Sequence, residues 1–526
     1  MPPYLCSLIC FAMKRTRKKS FWRTSHKWLG LLFAIFLLLF CLSGIVLNHR
    51  KFFSGVSVSR NWLPKTYKVD NWNQGSVKGT LHLSDSRILA YGQAGIWEAG
   101  PQMEYVSDFS SGLKKGVDNR KISALAQAGD GSLWCTGLYD LYRFSPETVC
   151  WEPVELKGNR ERLSDLTLKG QDTLVVLGRS KVWQAVAPDY TFKEITLRVP
   201  DGYDNKVTLF KTFWMIHSGE LFGIVGKLVV DAVALALIIL SITGIVFFVL
   251  SQSVRRGREK GMAPERIKSK AQRMKKHLKW HNKVGVWALV FTLILSVTGM
   301  CLRPPLMIPL VRAKVAPVPG YTLASKNVFH DKLRSIRWDE SRGCWLLSTG
   351  EGFYSIAGEL DRALPQAMRK APSVSPMGIN VFTPDPAAPS QWLVGSFSGL
   401  FSWDLDNGTV TDWFTGEAPK RGSYGTPAAH AVTGWSEDLD QAPVVFDYYS
   451  APGVELAPMP RALSSMRMSL WNFALELHVG RCYEPFLGSV LSVLFVFLSG
   501  AILTLVLVSG YIIYRKSVKQ SKKSKS

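Results

Sequence analysis

Four long apolar runs decide what this chain can fold into. They cover residues 29–47, 228–250, 284–302 and 486–514, and they are almost free of charged side chains. Each run is about 19 to 29 residues long, and a helix of about 20 apolar residues crosses a hydrocarbon core of about 30 Å. Four such runs in one chain are not typical of buried soluble helices. We therefore predict four transmembrane helices.

The distribution of charge predicts how these helices run. The chain has 64 Lys and Arg against 40 Asp and Glu, a net charge of +24. Residues 1–27 hold seven basic residues and no acid, residues 251–283 hold twelve against two, and residues 515–526 hold six and none. Short basic flanks of membrane spans stay in the cytoplasm. We therefore predict a bacterial inner-membrane protein with both termini cytoplasmic. Because nearly all of the excess positive charge lies in these three short cytoplasmic segments, we expect no nucleic-acid binding.

The first span is predicted to be an uncleaved anchor. Its apolar run is too long for the core of a signal peptide, and Leu42-Ser43-Gly44 does not form an Ala-x-Ala cleavage site. The protein starts at Met1 or at Met13, which directly precedes a basic run; the pattern leaves both open.

The predicted organisation follows from the spans. It is a basic N-terminus 1–27, first span 28–49, outer loop 50–216, second span 217–250, basic linker 251–280, third span 281–303, outer loop 304–477, fourth span 478–514 and basic tail 515–526.

The chain contains the same two-helix half twice. His26-Lys27-Trp28-Leu29-Gly30, with Ser43-Gly44 further along, matches His281-Asn282-Lys283-Val284-Gly285, with Thr298-Gly299 further along, at identical spacings. The return helices match more loosely: His217 precedes Thr243-Gly244, and His478 precedes both Ser499-Gly500 and Ser509-Gly510. Each half is therefore a span, a large outer loop and a second span.

The repeated histidines are candidate iron ligands. His26 and Gly30 lie at i and i+4 on one helical face, as do His281 and Gly285, which leaves room beside each imidazole for a flat macrocycle. Neutral imidazole is a common iron ligand. The alternative interpretation is that the histidines are interfacial residues and the glycines permit close helix packing.

Topology sorts these histidines into two layers. His26 and His281 begin spans on the cytoplasmic side, and His217 and His478 begin spans on the outer side, with His49 nearby as a further candidate. Two bis-imidazole sites, one in each leaflet, would let an electron cross the membrane in steps. His277, one turn before His281, competes as a ligand.

Other polar residues of the spans and loops receive ordinary interpretations. Lys227 and Asp231, at i and i+4, are predicted to pair with each other. Cys135 and Cys150 are predicted not to form a disulfide, because the apolar segment 139–145 reads as a strand between theirs.

The outer loops are predicted to be β-rich. Five segments repeat an apolar strand, a Gly-containing turn and a second apolar strand; they begin at Ile88, Leu133, Leu174, Trp345 and Trp392. Spacings of about 40 residues are typical of propeller blades. Three copies in one loop are too few to close a ring, so we predict one propeller-like domain built from both loops, with a pair of smaller β domains as the alternative. No catalytic triad, zinc signature or phosphate-binding loop is recognised there.

The span pattern resembles the PepSY-associated transmembrane family. The resemblance rests on His-x-x-x-Gly entering a helix that ends near Ser/Thr-Gly, and on His-x-Gly opening the return helix. It covers the four spans and implies haem b, expected twice, with ligands at His26, His281, His217 and His478 and His49 as an additional candidate. Relatives are linked to iron uptake, and some reduce ferric siderophores in the periplasm. This chain departs from the family in its outer loops, where no PepSY domain is recognised.

The leading functional hypothesis is a membrane oxidoreductase that moves electrons to a periplasmic acceptor such as a ferric siderophore. The cytoplasmic segments are too short to fold a nucleotide-binding domain, so quinol or a separate reductase is expected to donate the electrons. The alternative is a cofactor-free, membrane-anchored receptor or assembly partner whose outer β domain binds a ligand or a protein.

Overall fold

The computed structural model describes residues 21–375, 378–419 and 429–523. These residues form two compact units. A helical unit contains the described residues up to Asn48, then Thr208–Lys314 and the described residues from Leu477 onward; a sheet-rich unit contains His49–Val207 and Val315–Glu476. Met1, Met13 and most of the basic N-terminal segment lie outside the described residues.

The helices include four that are long and apolar enough to span a membrane. In chain order the helices are α1 Phe21–Asn48, α2 Arg50–Phe53, α3 Leu209–Ser218, α4 Gly223–Glu259, α5 Pro264–Met300, α6 Met307–Arg312, α7 Arg461–Ser464, α8 Leu470–His478 and α9 Glu484–Lys523. The four long helices α1, α4, α5 and α9 contain the four predicted spans, which are thereby confirmed as candidate membrane helices.

The long helices begin and end where local chemistry allows it. Helix α5 begins at Pro264, a residue whose fixed φ and missing N–H suit the first helical turn. Gly261, with φ of 67°, makes the turn between α4 and α5. Much of the basic linker therefore continues the two helices beyond their apolar stretches. Helix α9 is kinked at Gly488, whose φ of 74° is outside the helical region.

Strands fill the sheet-rich unit. The strands of the first loop are β1 Ser57–Val58, β2 Gly79–His82, β3 Ile88–Gly92, β4 Gly95–Ala99, β5 Tyr105–Asp108, β6 Ala124–Gln127, β7 Leu133–Thr136, β8 Leu141–Ser145, β9 Cys150–Val154, β10 Leu163–Lys169, β11 Thr173–Gly178, β12 Val182–Val186, β13 Lys193–Ile195 and β14 Val207–Thr208. Those of the second are β15 Lys314–Val315, β16 Leu333–Asp339, β17 Cys344–Thr349, β18 Gly352–Ala357, β19 Gln366–Met368, β20 Val381–Asp385, β21 Ala388–Ser396, β22 Gly399–Asp404, β23 Val410–Asp412, β24 Val432–Ser436, β25 Val444–Asp447 and β26 Met468–Ser469.

Most strands belong to antiparallel sheets of four consecutive strands. These are β6–β9, β10–β13, β16–β19 and β20–β23, while a six-stranded sheet has the order β25-β24-β2-β3-β4-β5. The five predicted hairpins are present. Each is formed by the second and third strands of a run of four consecutive strands, and the run β2–β5 lies within the six-stranded sheet. The six-stranded sheet takes strands from both loops, which favours one shared domain over two separate ones. Strand β8 lies between the strands of Cys135 and Cys150, and both cysteines are free.

Strand β11 shows why the strands read as continuous apolar runs. Leu174 and Val176 pack in a hydrophobic cluster with residues of the preceding sheet, and Val175 and Leu177 pack in a cluster with residues of the following sheet. All six residues of β11 are buried. Because successive side chains of a strand point to opposite faces, a sheet covered on both sides needs apolar residues at every position rather than at alternate ones.

The first strands of the groups lie next to one another. Strand β2 neighbours β6, β6 neighbours β10, β10 neighbours β16, β16 neighbours β20, and β20 neighbours β24. Strand β24 in turn pairs in parallel with β2, through Gly79 and Trp435. The order is therefore cyclic, from β2 through β6, β10, β16 and β20 to β24 and back to β2, with β2 and β24 in the same six-stranded sheet and each of the other four in a sheet of its own.

A buried carboxylate is expected to stabilise the contact between the two loops. Asp165 of β10 accepts hydrogen bonds from the Ser335 hydroxyl, from the Ile336 amide at 3.1 Å and from Arg337 Nη1 at 2.6 Å. Asp165→Ala leaves these donors unsatisfied, so we expect a loss of about 2–4 kcal/mol in the free energy of unfolding. Thermal unfolding of the purified protein in detergent measures this loss.

The matched control is Glu194→Ala. Glu194 pairs with Lys181 at 2.7 Å, and both side chains are well exposed, so its removal should cost less than about 1 kcal/mol. Equal destabilisation by the two substitutions would contradict the role given to Asp165.

Candidate functional site

The four long helices form a bundle in which each helix has two neighbours. Helix α1 packs against α4 and α9, and α5 packs against the same two helices. Helices α1 and α5 are therefore diagonal to each other, as are α4 and α9. Side chains that meet across a diagonal do so inside the bundle.

His26 and His281 meet across one diagonal. His26 is in the second turn of α1, and His281 is in the middle of α5. Their ring centroids are 6.1 Å apart, and the ring planes are inclined by 79°. The structure thus brings together the two histidines that occupy equivalent positions of the sequence repeat on the predicted cytoplasmic side.

His217 and His478 form a second pair of the same kind. His217 lies near the end of α3 and His478 at the end of α8, the short helices that precede α4 and α9. Their ring centroids are 6.3 Å apart, with an interplanar angle of 63°. This pair is the counterpart of His26 and His281, and the predicted topology places it on the outer side.

Each imidazole of the first pair binds a Ser/Thr-Gly motif on another helix. His26 Nδ1 lies 2.9 Å from the Val506 carbonyl oxygen and 3.3 Å from Ser509 Oγ. His281 Nδ1 lies 3.2 Å from the Leu240 carbonyl oxygen and 3.1 Å from Thr243 Oγ1. In both cases the carbonyl belongs to the residue three positions before the Ser or Thr.

The second pair repeats this arrangement. His217 Nδ1 lies 3.1 Å from both the Leu295 carbonyl oxygen and Thr298 Oγ1. His478 Nδ1 lies 2.9 Å from Ser43 Oγ and also interacts with the backbone of Phe40, three positions before Ser43.

These contacts define the tautomer of the rings. The hydroxyls of Ser43, Thr243, Thr298 and Ser509 donate to carbonyls of their own helices. Their oxygens and the carbonyl oxygens beside them therefore act as acceptors, so Nδ1 carries the proton and donates it. Nε2 is left unprotonated, and within the described ranges none of the four Nε2 atoms has a hydrogen-bond partner. An imidazole whose Nδ1–H is bound in this way presents Nε2 as a metal ligand of fixed orientation.

The glycine of each motif lies against the imidazole. A Cβ built at Gly510 would lie 2.8 Å from His26 Cε1, and one at Gly299 would lie 3.0 Å from His217 Cε1. At Gly44 and Gly244 the corresponding distances, to His478 and His281, are both 3.5 Å. Glycine is thus required most strictly at position 510.

Two other glycines, Gly30 and Gly285, lie one turn from His26 and His281. A Cβ at Gly30 would make an ordinary contact with Val506, and one at Gly285 would make an ordinary contact with Leu240. The room that these glycines are predicted to leave for a macrocycle stays a prediction.

The contacts follow a pseudo-twofold symmetry. The first half of the chain supplies His26, and its partner motif Ser509-Gly510 is in the second half; the second half supplies His281, and its partner Thr243-Gly244 is in the first. His217 and His478 exchange partners between the halves in the same manner. Each pair therefore consists of equivalent residues related by one axis, the arrangement expected of parallel repeats.

The two pairs are separated along the bundle. His26 and Ser43, the partner of His478, are seventeen residues apart on α1. This spacing corresponds to about 25 Å along a helix, most of the roughly 30 Å of a hydrocarbon core. One pair therefore lies toward each end of the apolar layer.

The distance between the rings of each pair is compatible with two imidazoles that would hold one haem iron. Two rings that bind one metal ion from opposite sides, with metal–nitrogen bonds of about 2 Å, have centroids about 6 Å apart. The observed centroid distances of 6.1 and 6.3 Å agree with this value. Within the part of the chain that the structure describes, no group of three or more His, Cys, Asp or Glu side chains could hold a metal ion; a bis-imidazole haem needs only two protein ligands.

The remaining histidines occupy other environments. His49, predicted as an additional ligand, lies at the N-cap of α2 and belongs to the sheet-rich unit. His277 lines a cleft with Arg273, Lys276 and Trp280. His82 is exposed, whereas His330 lies 3.2 Å from the Ser180 hydroxyl and His430 stacks on Phe414.

The predicted pair of Lys227 and Asp231 is wrong. Lys227 Nζ pairs with Glu220 Oε1 at 2.7 Å, and Asp231 accepts a hydrogen bond of 3.4 Å from Asn48 Nδ2. Glu220, in the short turn before α4, provides the carboxylate for Lys227 in place of Asp231. Asp231 instead contacts α1 through Asn48.

The fold and site thus define a four-helix membrane protein whose bundle contains two symmetric histidine pairs. The sequence matches the family described as the PepSY-associated TM region twice, over residues 7–251 and 252–517. The chain therefore belongs to that family, and the two matches coincide with its two halves. No curated protein matches the chain.

Similarity to solved structures is weak. The extracellular domain of a one component system, BT4673 of B. thetaiotaomicron, has a TM-score of 0.32 and 11% identity, covering 73% of this chain and 40% of that one. The WD40 repeats of RRP9 have a TM-score of 0.34 and 8% identity, covering 74% and 79%. The chain therefore spans about 40% of the length of the first of these structures.

Substitution of the motif glycines tests the contacts. Gly510→Ala places a Cβ against His26, and we expect a destabilisation of about 1–2 kcal/mol, since overpacking outweighs the gain in helix propensity. Gly244→Ala makes only an ordinary contact with His281 and should be neutral or slightly stabilising. Thermal unfolding in detergent compares the two variants. Equal effects would show that Gly510 does not lie against His26.

Proposed function

We propose that this protein holds two haem b groups and carries electrons across the bacterial inner membrane to an acceptor on the outer face, such as a ferric siderophore. The observation that carries the proposal is the occurrence of two histidine pairs with centroid distances of 6.1 and 6.3 Å. Their separation of about 25 Å suits transfer in steps between the two membrane borders.

The chain's own residues would hold and orient the cofactor. His26 and His281 would bind one iron and His217 and His478 the other, each through Nε2. The carbonyl and hydroxyl oxygens at Nδ1 prevent the rings from turning and increase their basicity as ligands. Bound haem would supply one-electron redox chemistry, and the two histidines of each pair would hold it.

The electron donor in this proposal is quinol or a separate reductase. The basic flanks favour an orientation with both termini cytoplasmic. The described part of the linker between α4 and α5 continues the two helices and makes a tight turn, which leaves little chain for a nucleotide-binding domain.

The outer domain is proposed to be a six-bladed propeller. Support comes from the cyclic order of the first strands β2, β6, β10, β16, β20 and β24 and from hydrophobic clusters shared by successive sheets. A closed ring removes exposed sheet edges along its circumference and leaves loops at its two ends for binding.

A second candidate function is a cofactor-free receptor or assembly partner anchored by its helices. The observation that favours it is the size of the sheet-rich unit, which contains more of the described chain than the helical unit does. In this case the histidine pairs would only tie the helices together.

A visible spectrum separates the two functions. The protein is purified in detergent from cells supplied with iron and a haem precursor. We expect a Soret band, and α and β bands that sharpen on reduction with dithionite. His26→Ala and His217→Ala should each lose about half of the bound haem, because each removes one of two pairs.

The matched control is His277→Ala, since His277 lies one turn from His281 on the same helix but outside both pairs. It should retain the full haem content. A folded, colourless wild-type protein would refute the electron-transfer proposal and leave the receptor.

A further inference from the structure

Seven cationic side chains converge in the sheet-rich unit. They are Arg50, Lys78, Lys121, Arg162, Arg179, Arg334 and Arg337. Lys78, Lys121 and Arg162 stand at or just before the starts of the first strands β2, β6 and β10, and Arg334 and Arg337 lie on the first strand β16. These strands are neighbours in the cyclic order, and cations of different sheets interact: the charge of Arg162 acts on both Lys121 and Arg334. We refer to the seven as the cation cluster.

Three carboxylates neutralise only part of the cation cluster. Arg50 forms two hydrogen bonds of 2.6 and 2.7 Å with Asp118. Arg179 pairs with Asp331 at 3.1 Å, and Arg337 pairs with Asp165 at 2.6 Å. The other four cations, Lys78, Lys121, Arg162 and Arg334, have no carboxylate within salt-bridge distance among the described residues.

Two of these four cations, Lys121 and Arg162, also have no hydrogen-bond partner among the described residues, whereas Lys78 and Arg334 have backbone partners. Lys78 Nζ donates to the Ser123 carbonyl at 2.6 Å, and Arg334 Nη1 donates to the carbonyls of Leu333 and Asp331 at 2.9 and 3.0 Å. Within residues 21–375, 378–419 and 429–523, Lys121 and Arg162 donate to no other residue. Neither side chain has a fully buried nitrogen without a partner, so these N–H donors are open to water and to a solute that reaches them.

The cations also repel one another. Burial, followed by the charge of Arg50, lowers the pKa of Lys121 to about 8. Burial and Arg179 lower the pKa of Arg334 to about 9, and burial and Arg50 lower that of Arg162 to about 10. The cluster without a ligand is therefore electrostatically unfavourable, and a bound anion would relieve this repulsion.

The location of the cluster selects a small ligand. The side chains of Arg50, Arg179 and Arg337 are only 12, 17 and 27% exposed, and the four cations without a carboxylate, Lys78, Lys121, Arg162 and Arg334, are half-buried. Recessed cations of this kind are not accessible to a flat membrane surface or a duplex, whereas a small molecule with several carboxylate or phosphate oxygens can reach them. Arginine in particular binds such oxygens in a bidentate manner.

We propose that the cation cluster binds a small, multiply charged oxyanion, a polycarboxylate or phosphate either free or as its ferric complex, through Lys121 and Arg162 with support from Lys78 and Arg334. The claim that this anion is the outer electron acceptor rests on the proposed function. The claim that the cation cluster binds an anion does not.

The experiment titrates the full-length protein in detergent with citrate, ferric citrate and inorganic phosphate, using calorimetry and thermal unfolding. We expect at least one of these probes to bind and to raise the unfolding temperature, with an affinity that falls as sodium chloride is increased. Lys121→Met and Arg162→Gln should each weaken binding at least tenfold. Tighter binding of ferric citrate than of citrate identifies the metal complex as the ligand, and the reverse identifies the free anion.

The matched controls are Lys115→Met and Arg160→Gln, exposed residues close in sequence to the two cations, which should bind like the wild type. Each test substitution removes a repelled cation, so the variants should unfold without ligand at no lower temperature than the wild type; Lys121→Gln or Arg162→Met replaces a variant that does not fold. If no probe binds, or if the test variants bind as tightly as the controls, the inference is overturned. A visible spectrum of the same samples distinguishes failure of the anion proposal from failure of the haem proposal. A colourless protein that still binds the anion refutes only the haem proposal.

Discussion

The arrangement of the helical unit depends on one repeated contact, the hydrogen bonding of a histidine Nδ1 to the Ser/Thr-Gly motif of a different helix. The contact needs a carbonyl oxygen, a hydroxyl that already donates to its own helix, and a glycine that admits the ring. It occurs at His26, His217, His281 and His478. Each contact joins two helical segments: two of them join α1 to α8 and α9, and the other two join α5 to α3 and α4. They also direct each Nε2 away from its partner motif, which is what makes the histidine pairs suitable for metal ligation.

The internal repeat explains why the histidines occur in pairs. Two equal halves related by a twofold axis place equivalent residues opposite each other, so one motif copied twice produces the two histidines of each pair. The same symmetry produces two sites, because each half contributes a histidine near each membrane border. A single amphipathic helix with a lone histidine would have no comparable partner. The symmetry is not exact: the glycine at position 510 is closer to its imidazole than the one at position 244.

The sheet-rich unit follows a different physical principle. Strands such as β11 are buried on both faces, so they carry apolar residues at nearly every position, and three cations, Lys78, Lys121 and Arg162, precede the starts of first strands. Because the first strands of both loops are neighbours, residues such as Lys121 and Arg334, which are far apart in sequence, belong to one cluster. Positive charge concentrated where it repels itself is stabilised when a counter-charge is bound, which links the fold of this unit to the chemistry of a ligand.

The sequence by itself determined the four spans, the repeat, the five hairpins and the candidate histidines, because apolar run length, strand-turn-strand patterns and exact spacings are local properties of a chain. It did not determine which motif each histidine contacts: His26 and Ser509 are 483 residues apart, and both Ser499-Gly500 and Ser509-Gly510 follow His478. It led to the wrong partner for Lys227 for the same reason, since Glu220 is brought near by a turn that helical periodicity does not represent. Only the tertiary structure decided that histidines meet across the bundle and that cations converge in the outer domain. Both depend on which distant segments pack together, and the separation of residues along the chain does not determine this.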